Sequence, residues 1–293
     1  MLIACGIACS TPLQLLAEAP ETETARGDGV CRFILKDYEL SKTTEDRINY
    51  VVTDLLKRLQ AALDFTGTTN LHVRVRIFER FEDFETYAKS HYNTSESSQK
   101  GSSLADLAGF YSPDAREVVV WAQKDHSFFG NSILHECTHA ILDQQFHRVP
   151  IWANEGCAVN FSFPKYMRDR SDQMMLISQW LLLKKYLDEH TLPDLKTFLN
   201  LSGEGFREMN PERAYPVSWS LVQLMLSTKE RQKAMDEMLK RLQQKGAKTG
   251  DCASLLEELY PGGLAKMEQE WHQWIYRGAS ALRGWRLDDR PAN

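Results

Sequence analysis

Residues 135–139 read His-Glu-Cys-Thr-His, two imidazoles four positions apart with a carboxylate beside the first. On a helix, positions i and i+4 lie one above the other on the same face. His135 and His139 can therefore aim ring nitrogens at one metal ion. Glu136 is the next residue round the helix, within reach of a water bound to that ion. Two histidines on zinc with a nearby glutamate as general base is the arrangement of metal-assisted hydrolysis. The competing reading is a surface helix that carries two histidines by accident. Phe128, Phe129, Ile133, Leu134, Ala140, Ile141 and Leu142 argue against it, because they predict a buried helix. Two imidazoles and a carboxylate are costly to bury unless something pairs with them, and a metal ion pairs with all three.

A catalytic zinc ion takes three protein ligands and keeps one position open. Residues 147–150 read as a turn, and 151–161 as a second helix running back against the first. Glu155 falls early in that helix, where a carboxylate also suits the helix dipole. It is the candidate third ligand, and the plainer reading is an ordinary N-terminal helix carboxylate. Gly156 beside it is expected to let the two helices approach closely. His147 competes for the role from the turn. A third histidine supplied from there would need a glycine-containing segment directly after His139, and residues 141–145 contain none.

His-Glu-Cys-Thr-His followed by Trp-Ala-Asn-Glu-Gly at 152–156 resembles the gluzincin metallopeptidases of the thermolysin-like clan. The resemblance is closest to the bacterial peptidase-MA-like families, whose second helix reads W-x-x-E-G, and it is strongest over about residues 108–161. It implies His135, His139 and Glu155 as ligands of one Zn2+ ion and Glu136 as general base. It also implies a cleft between a sheet-bearing lobe and a helical lobe. Such families often carry an acidic residue one turn after the ligand glutamate; here that place is Val159, with polar Asn160 one position off. Support behind the metal ligands is therefore unaccounted for. Residues 213–221 resemble the related families in placing a Tyr near the start of a helix with a Ser-Trp pair. Tyr215 is thus the expected donor to the oxyanion, read against simple packing at the helix N-terminus. Tyr111 and His126 are further candidates.

The elements that must hold these groups follow an α+β order. Residues 31–36 read as a strand and 44–65 as a long amphipathic helix. Residues 71–78 alternate apolar and polar as a half-buried strand, and 81–92 read as a helix. Residues 93–103 are Ser-rich and read as a loop. Segments 107–111 and 117–121 form a hairpin around the turn at 112–116, leading into the first metal helix. Its first strand is expected at a sheet edge. There Gly109 would let a substrate backbone approach; otherwise the hairpin simply covers the core. Helices are expected at 171–187, 195–201, 216–226, 230–244, 252–260 and 264–276, separated by breakers that include Pro193, Gly203, Gly205 and Pro211. The division is a leader and tether over 1–29, a sheet-bearing subdomain over 30–163 and a helical one over 164–293. Trp271, Trp274 and Trp285 read as packing residues.

Of 293 residues, 43% are hydrophobic and 26% charged, which is globular composition. A net charge of −5 without a basic run gives no reason to expect nucleic acid. Residues 1–19 are mostly apolar but lack a basic flank, and Pro12 with the small residues argues against a membrane span. Leu2-Ile3-Ala4-Cys5-Gly6 resembles a bacterial lipobox with Cys5 as the lipidated residue, and Ala17-Glu18-Ala19 offers a conventional cleavage site. An exported or lipid-anchored protein is expected over a cytoplasmic one, tethered by lipid and without a transmembrane helix. Residues 20–29 read as a flexible tether. None of the six cysteines forms a C-x-x-C pair, and Cys137 and Cys157 read as small buried residues. The expectation is a zinc-dependent peptidase acting on a peptide or protein. A non-peptide amide would suit the same chemistry. The rival is a non-catalytic domain in which a structural zinc site braces a binding module. An open fourth coordination position separates the enzyme from the brace.

Overall fold

The computed structural model describes residues 23–65, 71–91, 108–122, 126–162 and 170–281. Five strands form one mixed sheet: β1 (Glu23–Arg26), β2 (Cys31–Lys36), β3 (Val73–Phe78), β4 (Gly109–Ser112) and β5 (Glu117–Trp121). Their order is β1-β2-β3-β5-β4. The inner pairs β2–β3 and β3–β5 are parallel, and the outer pairs β1–β2 and β4–β5 are antiparallel. The chain is α+β with an edge hairpin, as the alternation of apolar residues requires.

Parallel neighbours need long crossovers, and helices supply them. Helix α1 (Lys42–Ala62) joins β2 to β3, and α2 (Phe81–His91) leaves β3 for the hairpin. Ser41 caps α1 by accepting the Thr44 amide at 3.1 Å, and Ile48, Val51, Val52, Leu55 and Leu59 form its buried stripe. Along β3, Val73, Val75 and Ile77 face the main core, while Phe78 packs with Phe84 and Ala88 of α2 on the other face. Helices α3 (His126–Gln145) and α4 (Ile151–Phe161) follow β5, joined by the short segment 146–150. Seven more α-helices and a short 3-10 turn at Thr249–Asp251 complete the described chain: α5 (Arg170–Asp188), α6 (Leu195–Leu199), α7 (Gly203–Glu208), α8 (Pro211–Met225), α9 (Lys229–Leu242), α10 (Cys252–Leu259) and α11 (Gly263–Ala281).

Four expectations are corrected. Part of the expected tether, Glu23–Arg26, is a strand paired with β2. Residues Gly203–Glu208 form a helix despite two glycines, because Ser202 caps the Gly205 amide and Phe206 is buried. Helix α8 begins at Pro211, capped by Asn210, and not at Pro216, which lies inside it. Proline suits the first helical position because its missing N–H has no partner there anyway. Gly156 faces α8 and not α3: a β-carbon there would stand 2.4 Å from the Ser218 carbonyl oxygen. Through that contact α4 lies against α8. One hydrophobic core continues from residues such as Trp152 into Val217, Trp219 and Trp271.

No helix among the described residues is long and apolar enough to cross a membrane. Cys5, the cleavage site at residues 17–19, the Ser-rich segment and Trp285 lie outside the described residues.

Candidate metal centre

Helix α3 is apolar on several faces because it is enclosed. Ile133, Leu134, Cys137, Ala140, Ile141 and Leu142 are all buried in the main core. Helix α4 is enclosed between α3 and α8 and carries Trp152, Ala153, Cys157 and Ala158 inward. The Trp152 indole N–H reaches the Cys252 sulfur at 3.3 Å, anchoring the first turn of α4 to α10. The contacts of Asn154 Oδ1 with His139 and of Ser162 Oγ with His135 show that the two helices run antiparallel. A short connection between apolar helices has that result.

Into this packing the helices carry His135, His139 and Glu155, each 1% exposed. One ligand atom from each lies within 4.8 Å of the others, a set able to hold a metal ion. Glu155 Oε2 stands 3.6 Å from His135 Nε2 and 3.7 Å from His139 Nε2. These separations are too long for hydrogen bonds. They are close to the roughly 3.4 Å between two tetrahedral ligands held at zinc-like bond lengths. Neither His Nε2 nor either Glu155 oxygen has a hydrogen-bond partner among the described residues.

Burial works against a plain ion pair. Burial holds His139 down at about 4, with Glu155 opposing that shift, and burial likewise lowers His135. Burial pushes Glu155 up to about 7, against the pull of His139. Lost hydration therefore drives all three groups toward their neutral forms. Neutral imidazole is the form that ligates metal. A cation at the centre would satisfy the three lone pairs together, whereas a water has only two protons to donate to them. The donor set of two nitrogens and one carboxylate fits a divalent metal ion.

The bonds behind the histidines also fit. Asn154 Oδ1 lies 2.8 Å from His139 Nδ1, and Ser162 Oγ lies 3.4 Å from His135 Nδ1. An acceptor on Nδ1 leaves Nε2 as the ligating atom. Asn154 and Ser162 were not singled out in the sequence. Asn154 could have been found as the polar neighbour of Glu155; Ser162 lies beyond the end of α4 and gave no signal. Asn160 is engaged elsewhere, accepting from Gln223 of α8 at 2.6 Å.

The other candidates fall as follows. Glu136 is 0% exposed, and its charge acts on His135. Tyr215 lies within α8, half-buried and edge-on to Phe206 at 5.7 Å between ring centres. The triad is assembled without it. Tyr111 donates to Asp143 Oδ2 at 2.7 Å, one turn beyond His139 on α3. The side chain of His126 lies outside the described residues, and His147 is exposed in the turn. The space over Gly109 belongs to β5, because a β-carbon there would meet the Val119 carbonyl oxygen at 2.7 Å. Cys137 and Cys157 are free, buried thiols. No protein-family model matches the chain, and no curated protein matches it in sequence.

Proposed function

We propose that the protein is a zinc-dependent peptidase of gluzincin type. The convergence of His135, His139 and Glu155, with their lone pairs unpartnered among the described residues in a buried interior, carries this reading. A zinc ion held there supplies Lewis acidity to a carbonyl and lowers the pKa of a water beside it. Glu136 takes the proton of the attacking water and delivers it to the departing amine. Asn154 and Ser162 hold the imidazoles in register. Strand β4 supports a peptide substrate: it is an outer strand, lies next to α3 and has β5 as its single strand partner among the described residues. An extended peptide could add to such an outer strand. Tyr215 as oxyanion donor, and export through a lipid on Cys5, belong to the same proposal.

A second reading has its own support. His135, Glu136, His139 and Glu155 are each at most 1% exposed, which suits a structural metal brace. Glu136→Gln separates the two, with a permissive unstructured peptide as substrate and zinc measured on the same preparation. The peptidase reading expects unchanged zinc and a loss of roughly 10²–10⁴-fold in kcat. Hydrolysis by this variant at the wild-type rate contradicts it, and wild-type protein that binds zinc but cleaves nothing supports the brace.

A further inference from the structure

Ser162 is the C-cap of α4, 2% exposed and seven residues beyond Glu155. Seven residues are close to two helical turns, so Ser162 and Glu155 lie on one face of the helix end. The Ser162 hydroxyl has one proton and two candidate partners. The Ala158 carbonyl oxygen lies 2.5 Å away and His135 Nδ1 lies 3.4 Å away. A carbonyl oxygen can only accept, and it is nearer by almost an ångström. The proton therefore goes to Ala158, and the hydroxyl is left with lone pairs facing the imidazole. His135 must then carry its own proton on Nδ1, and its Nε2 lone pair points toward Glu155.

We propose that Ser162 is the positioning residue of His135: it accepts the Nδ1 proton and thereby fixes the ring with Nε2 toward the metal position. The inference rests on the reading that the triad holds a metal ion. It also resolves the gap left by Val159, where an acidic residue would stand in proteins with the resembling motif. Here the helix end itself turns a neutral hydroxyl, tied back to its own helix by Ala158, onto the first histidine. Asn154 does the same for His139 with a neutral amide oxygen. Both histidines are thus braced by neutral acceptors, and Glu155 is the carboxylate that converges with them among the described residues. A neutral acceptor leaves the imidazole a weaker donor to the metal than a carboxylate would.

The test uses full-length protein and two readouts. Long-range proton–nitrogen NMR on metal-free wild type with labelled histidine, assigned against His135→Gln, reports the tautomer. His135 with its proton on Nδ1 supports the proposal, and a proton on Nε2 overturns it. Zinc affinity is then measured by competition with a chelating dye for wild type, Ser162→Ala and Ser162→Thr. Loss of the hydroxyl is expected to weaken binding about tenfold at unchanged stoichiometry, with Ser162→Thr recovering most of the loss. Equal affinity in wild type and Ser162→Ala overturns the proposal. If Ser162→Ala fails to fold, the wild-type tautomer decides. Wild type that takes up no zinc overturns the metal reading itself, an outcome distinct from unchanged binding in the variant.

Discussion

On the α2 side of the sheet, Glu117 is 2% exposed and its bonds are made within the chain. Arg76 Nε reaches Glu117 Oε2 at 2.6 Å, the Tyr87 hydroxyl donates to the same oxygen at 2.9 Å, and Arg74 Nη2 reaches Oε1 at 2.6 Å. The Arg76 guanidinium also lies over the Tyr87 ring, 4.7 Å from its centre. On the opposite side, Glu155 is equally buried and neither of its oxygens has a hydrogen-bond partner among the described residues. The chain satisfies the buried Glu117 carboxylate with arginine from the neighbouring strand and tyrosine from α2. Facing the two histidines it leaves the carboxylate wanting a cation. A buried carboxylate with its oxygens bonded needs no further partner; one that meets other lone pairs calls for an explanation, which a bound cation would supply.

Glu117→Ala sharpens this contrast most. Removal of Glu117 takes the carboxylate from the buried Arg76, and a destabilisation of about 3–5 kcal/mol is expected in urea unfolding. The folded fraction should still bind zinc as wild type does, and a loss of zinc would mean the two clusters are not independent. Metal addition probes the other side. Zinc at a hundred times its Kd should stabilise wild type by about 2.7 kcal/mol, seen as a rise in melting temperature that chelator reverses. Glu155→Ala should show no such rise, whereas an equal rise in both proteins would place the metal elsewhere. Gly156→Ala has the smallest effect. Its new methyl group meets the Ser218 carbonyl, and a cost of about 1–3 kcal/mol is expected from overpacking. A neutral result in thermal unfolding would show that α4 is not pressed against α8.

Much of the site was legible because its chemistry is local. The i, i+4 spacing of His135 and His139 fixes their shared face in any helix, and the turn at 147–150 brings the next helix back. The groups behind the ligands were not legible. Asn154 and Ser162 act through the crossing of α3 and α4, and no periodicity reports where two helices cross. The same holds for the two glycines: each marks a close approach, but the partner is α8 for Gly156 and β5 for Gly109. In the fold, strands β2, β3 and β5 were readable from alternating or continuous apolar residues. Strand β1 was not, because Glu-Thr-Ala-Arg has no such pattern and exists as a strand through its pairing with β2. The start of α8 was misplaced because proline punctuates both Pro211 and Pro216, and only the cap at Asn210 tells them apart.

The central claim is that two imidazoles and one carboxylate hold a single metal ion. Zinc quantification on purified wild type, His139→Ala and Glu155→Ala, each checked for folding, tests it most directly. About one ion per chain in wild type, with most of it lost in both variants, is the predicted result. Equal zinc in all three proteins would contradict the account.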